Sequence, residues 1–163
     1  MIIEPRIAPA DVADAGEILT VQRAAYLVEA QRYADPFLPP LTETLDEVRA
    51  ELSGPATVLA ARAGGRLVGS VRARVDGDTA RIGRLAVAPD QQGRGVGGSL
   101  LRAVEALFVA RVRRFALFTG AESEQNLRWY DRHGYRVVGH RTGHDGIRLA
   151  RLEKLVSPAR SDA

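Results

Sequence analysis

The segment Gln92-Gly-Arg-Gly-Val-Gly-Gly98 follows the apolar run Leu85-Ala-Val-Ala-Pro89 and leads into the helical pattern SLLRAVEALF. Four of its seven residues are glycine. Glycine admits positive φ and close backbone approach, at an entropic cost that a plain connector would not justify. Where a strand passes into a helix, consecutive amides can point at one anion, helped by the helix dipole. Gln92, Gly93, Arg94, Gly95, Val96, Gly97 and Gly98 therefore form a candidate pyrophosphate cradle, with Arg94 adding positive charge.

Gly93 to Gly98 also spells G-x-G-x-x-G, the dinucleotide fingerprint. Pro-Asp-Gln-Gln separates this turn from the strand, and the preceding strands read as a meander rather than as βαβ units, which argues against that fold. A P-loop is excluded because no Gly-Lys-Ser/Thr follows.

The 163 residues suffice for one domain with a real core, expected over residues 1–156, with residues 157–163 a disordered tail. Cysteine is absent, which removes thiolate nucleophiles, disulfides and cysteine-ligated metals. No apolar run or leader pattern points to a membrane, so the cytoplasm is the expected location. The net charge of +3 is carried almost wholly by arginine, Lys154 being the only lysine. These positives are scattered and aromatics are few, which suits a small polyanion better than nucleic acid.

A short first strand is read around Ile2 to Ile7, and Asp11 caps a helix carrying Ala15, Ile18, Leu19, Ala25 and Tyr26 on one face. ADPFLPPL reads as a loop, and Thr44-Leu-Asp-Glu47 as the capping box of a second helix. ATVLAAR, RLVGSVRARV and TARIGRLAVA form an antiparallel meander through Gly64-Gly65 and Asp76-Gly77. In the second of these strands, Leu67, Val71, Ala73 and Val75 are expected on one face. After the glycine turn, Val96, Leu100, Val104, Leu107 and Phe108 line a helix. RFALFTG is the next strand, Ser123 caps a short helix ending at Gly134, and YRVVGH and GIRLARLEKL close the sheet.

Ile82 is apolar at an even position, whereas Leu85 and Val87 are apolar at odd ones. A strict period of two cannot put all three on one face, so the pattern slips near Gly83. The slip reads either as a β-bulge or as a strand buried on both faces.

Leu85-Ala-Val87-Ala-Pro89, followed in register by Gln92-Gly-Arg-Gly95-Val-Gly97, resembles the acetyl-CoA motif of the GCN5-related N-acetyltransferase (GNAT) superfamily. Tyr130-Asp-Arg-His-Gly134-Tyr135 matches a second motif of that family. The resemblance runs from Val58 to Val138. It departs from the family at Ser123, where an asparagine is common, and Asn126 stands where a small residue is usual. It implies a single α/β (α+β) domain with a mixed central sheet, an antiparallel meander, a bulged strand before the pyrophosphate loop and helices on both faces.

The implied reaction is N-acetylation with acetyl-CoA as co-substrate and no metal. The acceptor would be an amine of a small molecule or a protein N-terminus or lysine. Leu85, Ala86 and Val87 would bind pantetheine, Asn126 is a further cofactor-binding candidate, and Tyr130 would be catalytic, facing the departing sulfur. Many relatives carry a carboxylate on the bulged strand as base; this strand offers Arg84 instead, which leaves Glu29, Asp35, Glu43 and Glu47 as candidates. A non-catalytic acyl-CoA-binding module is the rival reading, and exposed strand and helix edges allow a homodimer. His140 and His144 are spaced i, i+4 beside Gly143 in strand context, unlike a helical metal site. His133 suits a helix end, and Trp129 is read as core or interface.

Overall fold

Polar caps, a proline pair and two hairpin glycines set the turns that organise the first half of the chain. The computed structural model describes residues 4–156; the tail beyond Val156, residues 2 and 3 of the expected first strand and the side chain of His144 lie outside what is described. Strand β1, Arg6–Pro9, leads to Asp11, whose carboxylate accepts the Ala13 amide at 2.8 Å while Asp14 accepts the Asp11 amide at 2.9 Å. This reciprocal cap starts a 3-10 turn that runs into helix α1, Ala15–Tyr33. The ADPFLPPL segment is not wholly loop: Pro39 and Pro40, with φ already set for a helical first turn, open the short helix α2, Pro39–Thr42. Thr44 and Glu47 form the expected box on helix α3, Leu45–Ser53.

Strands β2 (Thr57–Ala63), β3 (Arg66–Asp76) and β4 (Thr79–Val87) form the meander, joined through Gly64 and Gly77 at φ +62° and +61°. Helix α4 (Val96–Phe108), strand β5 (Arg114–Gly120), helix α5 (Glu124–Arg132), and strands β6 (Arg136–Thr142) and β7 (Arg148–Leu155) follow. The seven-stranded sheet has the order β1-β2-β3-β4-β5-β7-β6. Among the described residues, β4 with β5 is the one parallel pair.

The two faces carry separate cores. Ala15, Ile18, Leu19 and Val21 of α1 and Val48 of α3 pack with Val58, Leu67 and Ala86 on one side. Val96, Leu100, Leu101, Val104 and Phe108 of α4 pack with Val71, Ala73, Ile82 and Phe115 on the other, and Leu127, Trp129 and Tyr130 of α5 lie against that same core. Leu107, expected on the inner face of α4, is 51% exposed, and Leu101 takes its place in the core.

Strand β3 also departs from the simple alternation. Arg62 pairs with Leu67 and Ala61 with Gly69, so Val68 is an extra residue. That bulge reverses parity, turning Leu67 toward α1 while Val71 and Ala73 face α4. Val75, beyond them, is largely solvent-exposed.

The expected bulge in β4 is present. Gly83 pairs with Arg72 and Ala86 with Ser70, so three steps on β4 match two on β3. The residue in the left-handed region is Arg84 at φ +51°, not Gly83. Ile82, Leu85 and Val87 consequently all meet the α4 core, while Ala86 faces α1. Pairing of β4 with β5 stops at Arg81 and Ala116, so the two parallel strands part where the bulge begins.

Candidate functional site

Beyond Val87 a 3-10 turn, Pro89–Gln91, brings the chain to Gln92, whose side-chain amide donates to the Val87 carbonyl at 3.0 Å. Gly93 and Gly95 adopt φ +77° and +85°, and Gly95 is the N-cap of α4. The first helical amide to find a carbonyl is Ser99, bonded to Gly95 at 3.0 Å. Among the described residues, no amide from Gln92 to Gly98 donates a hydrogen bond. A Cβ on Gly93 or Gly95 would enter open space. A row of unspent donors at a helix N-terminus, exposed from Gln92 to Gly95, fits an anion such as a pyrophosphate. Arg94 is exposed beside it.

Trp129 braces this turn, which sequence reasoning missed. A Cβ on Gly97 would lie 3.5 Å from the Trp129 ring and 3.6 Å from Val87. Trp129 in turn stacks on His133, ring centroids 4.1 Å apart, and His133 Nδ1 lies 2.8 Å from the Trp129 carbonyl.

The edge of β4 from Ile82 to Val87, which holds Leu85, Ala86 and Val87, has no ladder partner on its β5 side. Tyr130 packs from the α5 face, its ring at 5.8 Å and 72° to that of Tyr135. Its hydroxyl has no hydrogen-bond partner among the described residues. Burial first, and then the neighbouring Tyr26, pushes its titration well above the usual phenol range, so it is an acid and donor at neutral pH. Tyr26 comes from α1 on the opposite face of the sheet. Burial raises the Tyr26 hydroxyl too, opposed by Arg84 and Arg72. Residues of opposite faces thus approach one another where the sheet opens.

The four candidate carboxylates now separate. Glu43 is 9% exposed and held by Arg72, whose Nη1 donates to Oε2 at 3.0 Å and whose Nη2 donates to Oε1. Gln22, fully buried, donates to Glu43 Oε1 at 3.2 Å and to the Pro40 carbonyl at 2.9 Å. Burial works against ionisation of Glu43, but the Arg72 hydrogen bonds and charge, with Gln22 and Arg84, outweigh it and hold the carboxyl below its usual range. Such a group is a poor proton acceptor. Glu47 is committed to its capping box, and Asp35 accepts the Phe37 amide at 2.8 Å.

Glu29 lies one turn beyond Tyr26, at the open end of β5. Its Oε2 accepts the Ser123 hydroxyl at 2.6 Å, and its Oε1 lies 3.5 Å from the Asn126 amide, which is equally far from Thr119 Oγ1. Ser123 therefore spends its hydroxyl on Glu29 and makes no side-chain cap on α5, although it occupies the N-cap position. The Tyr33 hydroxyl accepts the Glu122 amide at 3.3 Å and sits 3.4 Å from Ser123 Oγ. A cavity of about 260 Å³, lined by Tyr33, Glu122, Asp145, Gly146, Ile147 and Arg148, continues from this cluster. Gln22 and Arg72 were legible only as polar residues interrupting apolar faces.

The family model described as "Acetyltransferase (GNAT) domain" matches residues 35–156. The chain belongs to the GNAT acetyltransferase family. No curated protein matches the sequence. Among solved GNAT-fold structures, it is similar to the ribosomal-protein-S18-alanine N-acetyltransferase of Escherichia coli, at TM-score 0.77 and 17% identity over 98% of each chain. The PaiA N-acetyltransferase of Thermoplasma acidophilum, in complex with coenzyme A, superposes with TM-score 0.73 and 17% identity, covering 93% of this chain and 98% of that one. An acetyltransferase of Thermus thermophilus gives TM-score 0.73 and 20% identity over 95% and 99%. At these identities the likeness shows the GNAT fold alone. Among the described residues, no helix is long and apolar enough to cross a membrane.

Proposed function

We propose that the chain transfers an acetyl group from acetyl-CoA to a primary amine, by direct attack in a ternary complex. What carries this reading is the convergence of uncommitted donors on one gap: the amides of Gln92 to Gly98 below it and the Tyr130 hydroxyl beside it. When bound, acetyl-CoA supplies an already activated acetyl thioester, so alignment does much of the catalysis. Gln92 to Gly98 hold the pyrophosphate, with Arg94 nearby. The free edge of Leu85, Ala86 and Val87 takes the pantetheine arm and offers an amide to the carbonyl oxygen. Asn126, turned toward Glu29 and Thr119, lines the open end of the gap.

An ammonium loses two protons on becoming an amide: one ends on sulfur and one in solvent. An alkylammonium of pKa about 10.4 costs about 4–5 kcal/mol to deprotonate at neutral pH. Glu29, whose arginine partner is the partly exposed Arg32 at 3.6 Å rather than a buried guanidinium, and which is neither spent on a cap nor turned to a loop amide, holds the ammonium and passes its proton out through Ser123 and the 260 Å³ cavity. Tyr130 donates a hydrogen bond to the departing sulfur; full transfer from a phenol raised above 10 to a thiol near 8.5 is uphill by more than about 2 kcal/mol.

Thiol release from acetyl-CoA, followed against a panel of amines, tests the reading. Wild type is expected to release thiol in an amine-dependent way, and Tyr130→Phe to lower kcat by about 10–100-fold at unchanged acetyl-CoA affinity. CoA binding without amine-dependent release would replace it with a non-catalytic acyl-CoA-binding module.

A further inference from the structure

Arg84 is the residue of the site whose chemistry the transfer reaction does not use. It occupies the β4 bulge at φ +51°, a conformation that side-chain-bearing residues hold only where the surroundings impose it. Its guanidinium faces α1, toward Glu43 and Tyr26. Among the described residues it makes no hydrogen bond. Its Nη2 lies 3.5 Å from Glu43 Oε2, beyond ordinary N–H···O range, and its Nε is buried without a partner. Glu43 is already satisfied by Arg72 and Gln22. Two guanidinium groups therefore share one carboxylate, leaving a surplus positive charge beside the gap, on a side chain 29% exposed.

Glu29 carries the opposite charge one helical turn beyond Tyr26, its Oε1 3.6 Å from the Arg32 Nε. Arg84 and Arg72 on one side and Glu29 and Glu43 on the other all act on the Tyr26 hydroxyl, and with Arg72 and Glu43 already bonded to each other, Arg84 and Glu29 are the basic and acidic groups left flanking that point. A guanidinium offers a planar fork that matches a carboxylate with two parallel hydrogen bonds. Resting on the transferase reading above, we propose that Arg84 selects the acceptor: the substrate is a small amine that carries a carboxylate a few bonds from its nitrogen, as in an amino acid, with the ammonium at Glu29 and the carboxylate on Arg84. The pyrophosphate does not compete for this arginine, because its cradle begins at Gln92 on the α4 side of β4.

The test uses matched acceptors: amino acids, their amides and the amines lacking the carboxyl group, with aminoalkylphosphonates as a second anion. Each is titrated into CoA-saturated protein and assayed for transfer with acetyl-CoA. Arg84→Asn removes the cation while keeping a residue that tolerates the left-handed backbone, and Arg84→Lys keeps the cation. A charge-assisted pair predicts at least about tenfold tighter binding and higher kcat/KM for the carboxylated member. Arg84→Asn should erase that ratio through acceptor KM, leave acetyl-CoA affinity unchanged and be partly rescued by Arg84→Lys. Equal treatment of charged and neutral acceptors overturns the proposal, as does a preference that survives Arg84→Asn or a failure of every carboxylated amine to bind. Selective binding without transfer to any acceptor would instead sink the transferase reading and leave the role of Arg84 standing.

Discussion

Glu43→Gln isolates the charge that joins α1, the α2–α3 link and β3. Arg72 and Glu43 are only 10% and 9% exposed, and Gln22 is fully buried, so loss of the negative charge leaves the Arg72 guanidinium, largely shielded from water, without its counter-charge and with Arg84 close by. Breaking a buried pair by removing one partner costs about 3–5 kcal/mol, and glutamine, which still accepts one hydrogen bond, belongs at the low end. About 3 kcal/mol in a domain of this size lowers Tm by about 6–12 °C. The same carboxyl sets a pH signature. Its folded pKa is depressed, so its contribution is complete above the unfolded value of about 4.3 and is lost as pH falls through the lower, folded value. Thermal melts of wild type and Glu43→Gln between pH 7 and pH 3 should therefore converge on the acid side. A triple variant, Gln22→Leu with Glu43→Leu and Arg72→Met, removes the three hydrogen-bonded members of the network, leaves only the partly exposed Arg84 without its carboxylate, and should lie closer to wild type than the single variant. A Tm drop under about 4 °C for Glu43→Gln, or a gap that widens in acid, would refute this account of the cluster.

Three further comparisons separate ligand binding from folding. Gly95→Ala places a side chain at φ +85° and should cost about 1–2 kcal/mol and weaken acetyl-CoA binding at least about tenfold; Gly64→Ala, at φ +62° with equal open space, should incur a similar stability loss and leave binding unchanged in calorimetric titration. Tyr130→Phe removes a hydroxyl that bonds to nothing described, so stability should stay within about 0.5 kcal/mol while kcat falls. Tyr135→Phe, by contrast, deletes the 2.7 Å bond to the buried Glu105 and should cost about 1.5–3 kcal/mol in chemical denaturation, with kcat unchanged at a temperature where it is folded. A Cβ on Gly120 would overlap the Tyr33 hydroxyl, so Gly120→Ala should destabilise by about 1–3 kcal/mol and raise acceptor KM, read from melts and initial rates together.

The features legible in the sequence are those whose physics is local. The glycine turn, the Thr44–Glu47 capping box and the hairpin glycines each act within a few residues, and the structure places them as read; Asp11, read as a helix cap, caps the 3-10 turn that leads into α1. The parity slip between Ile82 and Leu85 left a bulge or a doubly buried strand open, and the family resemblance pointed to the bulge that the structure shows. A second bulge, at Val68, left no such mark, because Leu67 and Val71 are apolar on whichever face they fall. The charge cluster was invisible for a different reason. Its bonds join Gln22 to Glu43, Arg72 to Glu43 and Gln22 to Arg72 across 21, 29 and 50 residues of chain. Ser123 was read as a helix cap from local propensity, whereas its hydroxyl is drawn to Glu29 on another element. A proline pair that opens α2 was read as loop because proline more often breaks helices than begins them.

Calorimetric titration of acetyl-CoA into the purified chain, beside NAD, tests the central claim most directly. The amides from Gln92 to Gly98 and the splayed edge of β4 predict one acetyl-CoA site per chain, CoA competing for it and NAD failing to bind. Absence of acetyl-CoA binding, or NAD binding in its place, would contradict it.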